Sequence, residues 1–252
     1  MHKLVDFPLL AFVVCLALLS LAAWIGASIV RGRRPINEDS REQFGTVLAA
    51  TLTLLGLIIG FSFSMALGRY DQRKNYEEAE ANAIGTEYLR VDFLPAADAA
   101  AVRLLLKNYL DQRVLFYITR DLAKLREVRD HTVLLQQQLW TAVRVPAAAQ
   151  PSPTLALVVS GMNDVLNSEG YTQAAWWNRI PTAAWMLLIA IAILGNLMVG
   201  YSGKEKSQLS MRFVLPLIVS IAVFLIADID SARGGMIRVS PQNLLSLLDS
   251  LR

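Results

Sequence analysis

Acidic side chains stand where an apolar run of the sequence ends. Residues 213–226, FVLPLIVSIAVFLI, lead directly into ADIDSARGGMIRVS at 227–240, so Asp228 and Asp230 lie at the edge of a lipid-compatible stretch. Two residues apart on a helix, they point about 200° apart, and both cannot face lipid. The pattern favours a structural lock, in which one carboxylate pairs with Arg233 or with an arginine of a neighbour. The alternative is an ion site or gate sensor, although two carboxylates fall short of the roughly six to eight ligands of calcium.

A second group of carboxylates occurs in EEAEANAIGTEYLR at 77–90. Glu80 and Glu87 are two turns apart on one helix face, and paired carboxylates can bind a cation or do acid–base chemistry. The simpler prediction is a solvated helix face with salt bridges to Arg73 and Lys74. Tight contact with a neighbour is predicted for three residues that suit a helix interior poorly: Asn82, Gly85 and Thr86.

Other chemistry finds little support in the sequence. His2 and His131 have no partner at metal-ligand spacing, and a single cysteine, Cys15, cannot form an internal disulfide. We find no phosphate loop and no nucleophile–base pattern, so we predict neither an enzyme nor a metal or cofactor site. The net charge of +3 comes without a basic patch, and nucleic acid is not an expected partner.

The elements that carry these residues are predicted to cross a membrane. Hydrophobic residues make up 54% of the 252 residues, and the mean hydropathy is +0.41, which is typical of a membrane protein. Four segments approach or exceed the length of about 20 apolar residues that a spanning helix needs: 7–30, 44–67, 180–201 and the shorter 213–229. The predicted fold is an all-α membrane protein with four transmembrane helices and an extramembrane helical bundle inserted between helices 2 and 3. The predicted domains are 1–68, 69–179, 180–232 and a C-terminal amphipathic tail, 233–252.

The inserted region is predicted to be helical throughout. The second span continues without a proline over 44–92, and Leu94 with Pro95 should stop that helix. Apolar spacing predicts further helices, and VPAAAQPSP at 145–153 predicts a loop between the last two.

The helix of the fourth span is predicted to end abruptly, at two glycines. Gly234 and Gly235 suit the left-handed conformation that follows a helix C-terminus. A short amphipathic helix then docks on the bundle or on a neighbouring subunit, with Ser240 as its cap and Pro241 at its first position.

The second span carries a stripe of small residues at spacings of three and four. Close helix packing is the simpler explanation, and a pore lining is the alternative. The predicted pore-lining residues are Thr53, Gly56, Gly60, Phe61 and Ser64. At the mouth, Arg69, Arg73 and Lys74 would attract anions, although ordinary interfacial anchoring also explains them. The interiors of the first three spans contain no ionisable residue, which argues against a proton-driven transporter.

Several stretches together resemble the bacterial bestrophin-like family, a group of four-span membrane proteins. The resemblance covers about residues 44–245. Its motifs are LLGLIIGFSFSMALGRYDQRKN, EANAIGTEYLRVDFLP, MNDVLN, RIPTAAW and the closing ADIDSARGGMIRVS. Within them, Glu80, Asn82 and Gly85 match the motif after the second span. The closing signature includes Asp228, Asp230 and Arg233.

This resemblance implies a function. Bestrophins are pentameric anion channels whose pore forms around the second span, so we expect a homo-oligomer, a pentamer by analogy, that conducts chloride or another anion across the bacterial inner membrane. The resemblance also implies a cytoplasmic bundle, whereas the density of basic residues in the short loops favours the opposite side. The alternative function is a non-conducting scaffold or sensor whose bundle binds a partner protein.

Overall fold

A computed structural model describes residues 5–30, 32, 38–202 and 209–252. His2 and several of the basic loop residues, among them Arg33 and Lys204, lie outside this range. The described residues form the following helices: α1 (Pro8–Ile25), α2 (Glu38–Arg90), α3 (Ala96–Ile118), α4 (Leu122–Ala149), α5 (Pro153–Trp177), α6 (Thr182–Ser202), α7 (Leu209–Asp230) and α8 (Gln242–Ser250). A π-helical turn, Gly26–Val30, continues α1, and a 3-10 turn, Val91–Phe93, follows α2.

Four helical stretches are long and apolar enough to cross a membrane, as the sequence predicts. They contain the four apolar segments. The 53 residues of α2 would extend roughly 80 Å at about 1.5 Å per residue, whereas a bilayer core takes only about 20 residues. The membrane-spanning part of α2 is therefore its apolar segment 44–67. The rest, as far as Arg90, exceeds the length that a hydrocarbon core accommodates.

The predicted end of this long helix is confirmed. Leu94 has an extended backbone and its N–H donates to the carbonyl of Val91, after which Pro95 precedes α3. Proline disfavours helical backbone in the residue before it, so the chain turns here. Asp98 lies in the first turn of α3, where its charge complements the helix dipole.

The predicted loop at 145–153 is wrong for most of its length. Helix α4 runs through Pro146 to Ala149. Proline removes one backbone donor, but its carbonyl still accepts from the N–H of Gln150 at 3.1 Å, and Pro146 is buried. In the last turn, the loss of one hydrogen bond costs less than exposing this buried surface. The connection shrinks to 150–152.

The described residues of 1–70 and 179–238 form one compact unit, and those of 71–178 and 239–252 form another. The domain limits drawn from the sequence stay a prediction. In the first unit, α1 packs against α6 and α7, with Leu19, Leu188 and Ile226 fully buried. A Cβ on Gly200 would collide with the backbone carbonyl of Ala23, so glycine allows α6 and α1 to approach closely.

The second unit is a helical core of its own. Helix α3 packs against α4 and α8, and α4 packs against α5. Its interior includes a cluster of aromatic rings, in which Trp176 contacts Phe116 and Tyr117 at centroid distances of 5.0 and 5.5 Å. This packing surrounds the buried charges described below.

Candidate functional site

The predicted pore-lining residues lie on an unpartnered face of α2. Only 6% of the most apolar window of this helix is buried, against 33–50% for the other three candidate spans. The five predicted residues, Thr53, Gly56, Gly60, Phe61 and Ser64, are all exposed within the chain. A Cβ on Gly56 or Gly60 would meet no atom within 4 Å. The small-residue stripe therefore does not pack inside the chain.

The opposite side of α2, unlike the small-residue stripe, packs against the rest of the chain. Leu52 and Thr51 lie within 4 Å of a Cβ built on Gly195 of α6, and Leu55 is buried. The hydroxyl of Thr53 donates to the carbonyl of Ala49 at 2.9 Å. Its oxygen lone pair remains for a ligand or a neighbour.

The three predicted mouth residues do not form one exposed basic group. Arg73 is only 2% exposed. Arg69 is half-buried and donates to the carbonyl of Met65 at 3.3 Å, while Lys74 is exposed. Residue spacing could not separate these three, because burial depends on which side of α2 each one occupies.

Asp228 holds the chain that follows α7. Its two carboxylate oxygens accept the backbone N–H groups of Met236 at 2.7 Å and Ile237 at 2.8 Å. The side chain is buried. The donors to this carboxylate are backbone amides, and Arg233 is half-buried five residues further along the chain.

The two glycines after α7 act through close approach rather than through backbone handedness. No described glycine has a positive φ, so the predicted left-handed turn is wrong. A Cβ on Gly235 would collide with the backbone carbonyl of Asp228, and one on Gly234 would collide with that of Asp6. Both positions need a residue without a side chain because two backbone segments meet there.

Asp230 joins three parts of the first unit. It accepts the backbone N–H of Ile180 at 3.0 Å and pairs with Arg179, whose Nε lies 3.6 Å from its Oδ2. Arg179 also donates to Asp6 at 2.6 Å. Sequence reasoning missed Arg179, although it directly precedes the third span as Asp230 directly follows the fourth.

We expect Asp228→Ala to unfold at a lower temperature and to loosen residues 231–240. Two partly buried N–H groups would lose their acceptor, at about 1 kcal/mol each. Asp228→Asn is the matched control, since it keeps one acceptor oxygen and should lose less. Thermal melting and limited proteolysis in detergent measure both. If Asp228→Ala melts and resists protease like the unmodified protein, Asp228 is not a structural lock.

A glutamate of α2 caps the C-terminal helix. Glu77 accepts the backbone N–H groups of Asn243 and Leu244, each at 3.0 Å, and the side-chain amide of Asn243 at 2.6 Å. Pro241 precedes α8 and makes no side-chain cap, and α8 begins at Gln242. The predicted Ser240 cap is therefore wrong, because a carboxylate distant in sequence occupies the N-terminus of this helix.

Glu80 lies in a buried ionic cluster. It is 0% exposed and pairs with Arg113 of α3. The hydroxyls of Tyr117 and Thr172 donate to it at 3.3 and 3.1 Å, and Glu169 lies 3.8 Å from Arg113. The predicted solvated face is wrong at 77, 80 and 87.

This cluster shifts the ionisation of its members. Burial alone would lower the pKa of Arg113, but the charge and hydrogen bond of Glu80, together with Tyr109 and Glu169, raise it above its usual range. Burial, followed by the charge of Glu80, raises the pKa of Tyr117. The cluster therefore keeps Arg113 charged and Tyr117 neutral at physiological pH. The sequence feature that could have indicated this cluster is Arg113, because it lies one helical turn from Tyr109 and one from Tyr117 on an apolar face.

Glu87 is buried without a hydrogen-bond partner. Both of its oxygens lack one, and burial raises the pKa of this carboxyl to about 8, although the charge of Arg90 lowers it. Gly161 of α5 leaves the space for it, because a Cβ there would overlap the carboxyl group. Asp164 adds a further negative charge that raises the pKa.

The other motif residues of α2 differ in how closely they contact the rest of the chain. A Cβ on Gly85 would lie 3.2 Å from Leu247 of α8, which is the tight contact the sequence predicts. Asn82 and Thr86 are exposed within the chain. Among the described residues, no group of three His, Cys, Asp or Glu side chains is placed to hold a metal ion.

Comparison with known proteins identifies the family. The model of the Bestrophin-like domain matches residues 13–244. The chain belongs to the bestrophin-like family. No curated protein matches it.

Solved bestrophin structures share the fold of this bestrophin-like chain. A bacterial bestrophin homologue from Klebsiella pneumoniae, solved by Zn-SAD phasing, aligns with a TM-score of 0.61 at 15% identity, over 95% of each chain. A single-substitution variant of that homologue aligns with a TM-score of 0.65 at 15% identity, over 94% of this chain and 99% of the other. At this identity the likeness concerns the fold.

Proposed function

We propose that this bestrophin-like protein is the subunit of a homo-oligomeric ion channel in the bacterial inner membrane. The second spans surround the pore, and the unit of 71–178 lies outside the bilayer. By the resemblance to bestrophins, which are channels rather than enzymes, the oligomer is a pentamer and conducts anions such as chloride.

The exposed face of α2 carries this proposal. A membrane helix gains no hydrophobic stabilisation from burying apolar residues against other helices, so interfaces between helices use small residues. Here the small residues face away from the chain's own core. Thr53 and Ser64 add oxygen atoms to that face, and Phe61, 67% exposed, provides an apolar ring that can narrow a pore.

A cation-selective channel is the second candidate, and a different observation favours it. Asp71 and Glu78 are exposed and follow Ser64 at intervals of seven residues along the same helix, which is close to two turns. In a ring of subunits, such carboxylates favour cations. Lys74 is the exposed member of the predicted basic mouth and favours anions.

Gly60→Leu is expected to cut ion flux about tenfold or more, because a leucine from every subunit would narrow an apolar pore. Purified protein in liposomes, with chloride and potassium flux recorded separately, provides the measurement. Val47→Leu is the control, since Val47 is exposed on α2 but about 140° around the helix from Gly60. Both variants must retain the oligomer size of the unmodified protein.

The same preparation separates the candidates. In a salt gradient, the sign of the reversal potential identifies the permeant ion. Lys74→Gln should shift this potential toward cation selectivity, and the double variant Asp71→Asn with Glu78→Gln should shift it toward anion selectivity. Unmodified oligomers that conduct neither ion across voltage and pH would contradict the channel and leave the scaffold or sensor.

A further inference from the structure

An apolar cavity of about 180 Å³ opens in the first unit. Its lining combines α1, α6 and α7 and includes Ala11, Cys15, Trp185 and Val223. All of its lining residues are apolar. An engineered apolar cavity of similar size, roughly 150 Å³, stays dry and takes up benzene, so water is a poor occupant.

The cavity lies at one edge of the membrane. Ala11 is in the first turn of α1, Trp185 in the first turn of α6 and Ala227 in the last turn of α7. These are the helix ends that Asp6, Arg179 and Asp230 join by ion pairs. The three charges immediately flank the apolar segments and mark the boundary between hydrocarbon and headgroups.

The rim of the cavity is formed by residues that face lipid. Val14 and Leu18 of α1 line it and are themselves exposed. Their helix is one of the candidate spans. An acyl chain of the surrounding bilayer can therefore enter from the side without crossing a polar layer.

Trp185 contributes its indole ring to the wall of the cavity. The side chain is 4% exposed, and it lies in the first turn of α6, near the membrane boundary at which tryptophans are enriched. The fluorescence of this ring therefore reports on what occupies the cavity.

We propose that this cavity is a lipid site, which binds a segment of one acyl chain of a membrane lipid. The apolar lining excludes a free anion or a sugar. Because the cavity lies within the bilayer, membrane lipid is the most abundant molecule that can enter it. This inference concerns lipid and does not depend on whether the protein conducts ions.

Quenching of tryptophan emission by brominated lipid tests the proposal. The protein is placed in vesicles of phosphatidylcholine with bromine on the upper part of one acyl chain. The Trp185 signal is the difference between the unmodified protein and Trp185→Phe. Because bromine quenches over only several ångströms, loss of most of this signal places an acyl chain close to Trp185, and the cavity-filling variants described next distinguish a chain inside the cavity from bulk lipid. Trp24, exposed on α1, is the positive control for quenching by bulk lipid.

Two further comparisons make the result specific. Ala11→Leu or Cys15→Leu fills the cavity from α1, and either one, verified by its melting temperature and oligomer size, should restore the Trp185 signal. Full Trp185 emission in the brominated vesicles would overturn the site and indicate that a neighbouring subunit or nothing fills the cavity. Quenching that persists in both filled variants would also overturn it.

Discussion

Arg113→Ala is expected to lower the free energy of unfolding by about 3–5 kcal/mol, because it leaves the charge of Glu80 buried without its partner. Glu80 is inaccessible to solvent, and its remaining partners would be the hydroxyls of Tyr117 and Thr172. Two neutral donors cannot replace a guanidinium in a medium of low dielectric constant. The cluster joins α2, α3 and α5, so its loss should reach the whole second unit.

Chemical denaturation followed by tryptophan fluorescence measures this loss. Arg103→Ala is the matched control, because Arg103 pairs with Asp92 on the surface and exposed pairs contribute at most about 1 kcal/mol. Replacing both members, as in Glu80→Leu with Arg113→Met, should recover much of the stability, since no buried charge remains. Equal losses from Arg113→Ala and Arg103→Ala would contradict the buried cluster.

Glu87→Gln is expected to stabilise the protein at alkaline pH and to have little effect near pH 4. The folded protein holds the proton of Glu87 until about pH 8, whereas the ordinary value is 4.5. The native state therefore binds more protons than the unfolded state between these values, and stability falls as the pH rises through that window. The difference in pKa corresponds to a loss on the order of 5 kcal/mol above pH 8.

Glutamine carries no charge and removes this dependence. Melting temperatures in detergent from pH 4 to pH 9 should diverge as the pH increases, with Glu87→Gln the more stable at the alkaline end. Arg90 and Asp164 are the charged groups that shift Glu87 from α2 and α5, and both remain in the variant. The control is Glu78→Gln at an exposed position of the same helix. Parallel melting curves across the range would show that Glu87 is ionised or solvated in the folded protein.

Local sequence carries some features of this protein without help from packing. The absence of proline and the strong helix formers over 44–90 predict one long helix, and Pro95 ends it for a steric reason that operates between adjacent residues. The four apolar segments follow from the length that a bilayer requires. The stripe of small residues on the second span also follows from residue spacing alone, and no other described part of the chain packs against that face.

Residue spacing did not predict the surroundings of the charged residues. Glu77, Glu78 and Glu80 stand within four positions, yet the first caps α8, the second is exposed and the third pairs with Arg113. A helix turns by about 100° per residue, so neighbours in sequence face different surroundings. Which of those surroundings is solvent depends on helices that arrive from far along the chain.

By itself, the sequence determined the all-helical class, the candidate spans and the family motifs, because hydrophobic length, periodicity and proline act over short distances. Only the tertiary structure decided the partners of the charges. It assigned Asp230 to Arg179, Asp228 to the amides of Met236 and Ile237, and Glu87 to the space beside Gly161. An ion pair or a buried carboxyl depends on separations of a few ångströms between distant segments, and these exist only once the helices have packed.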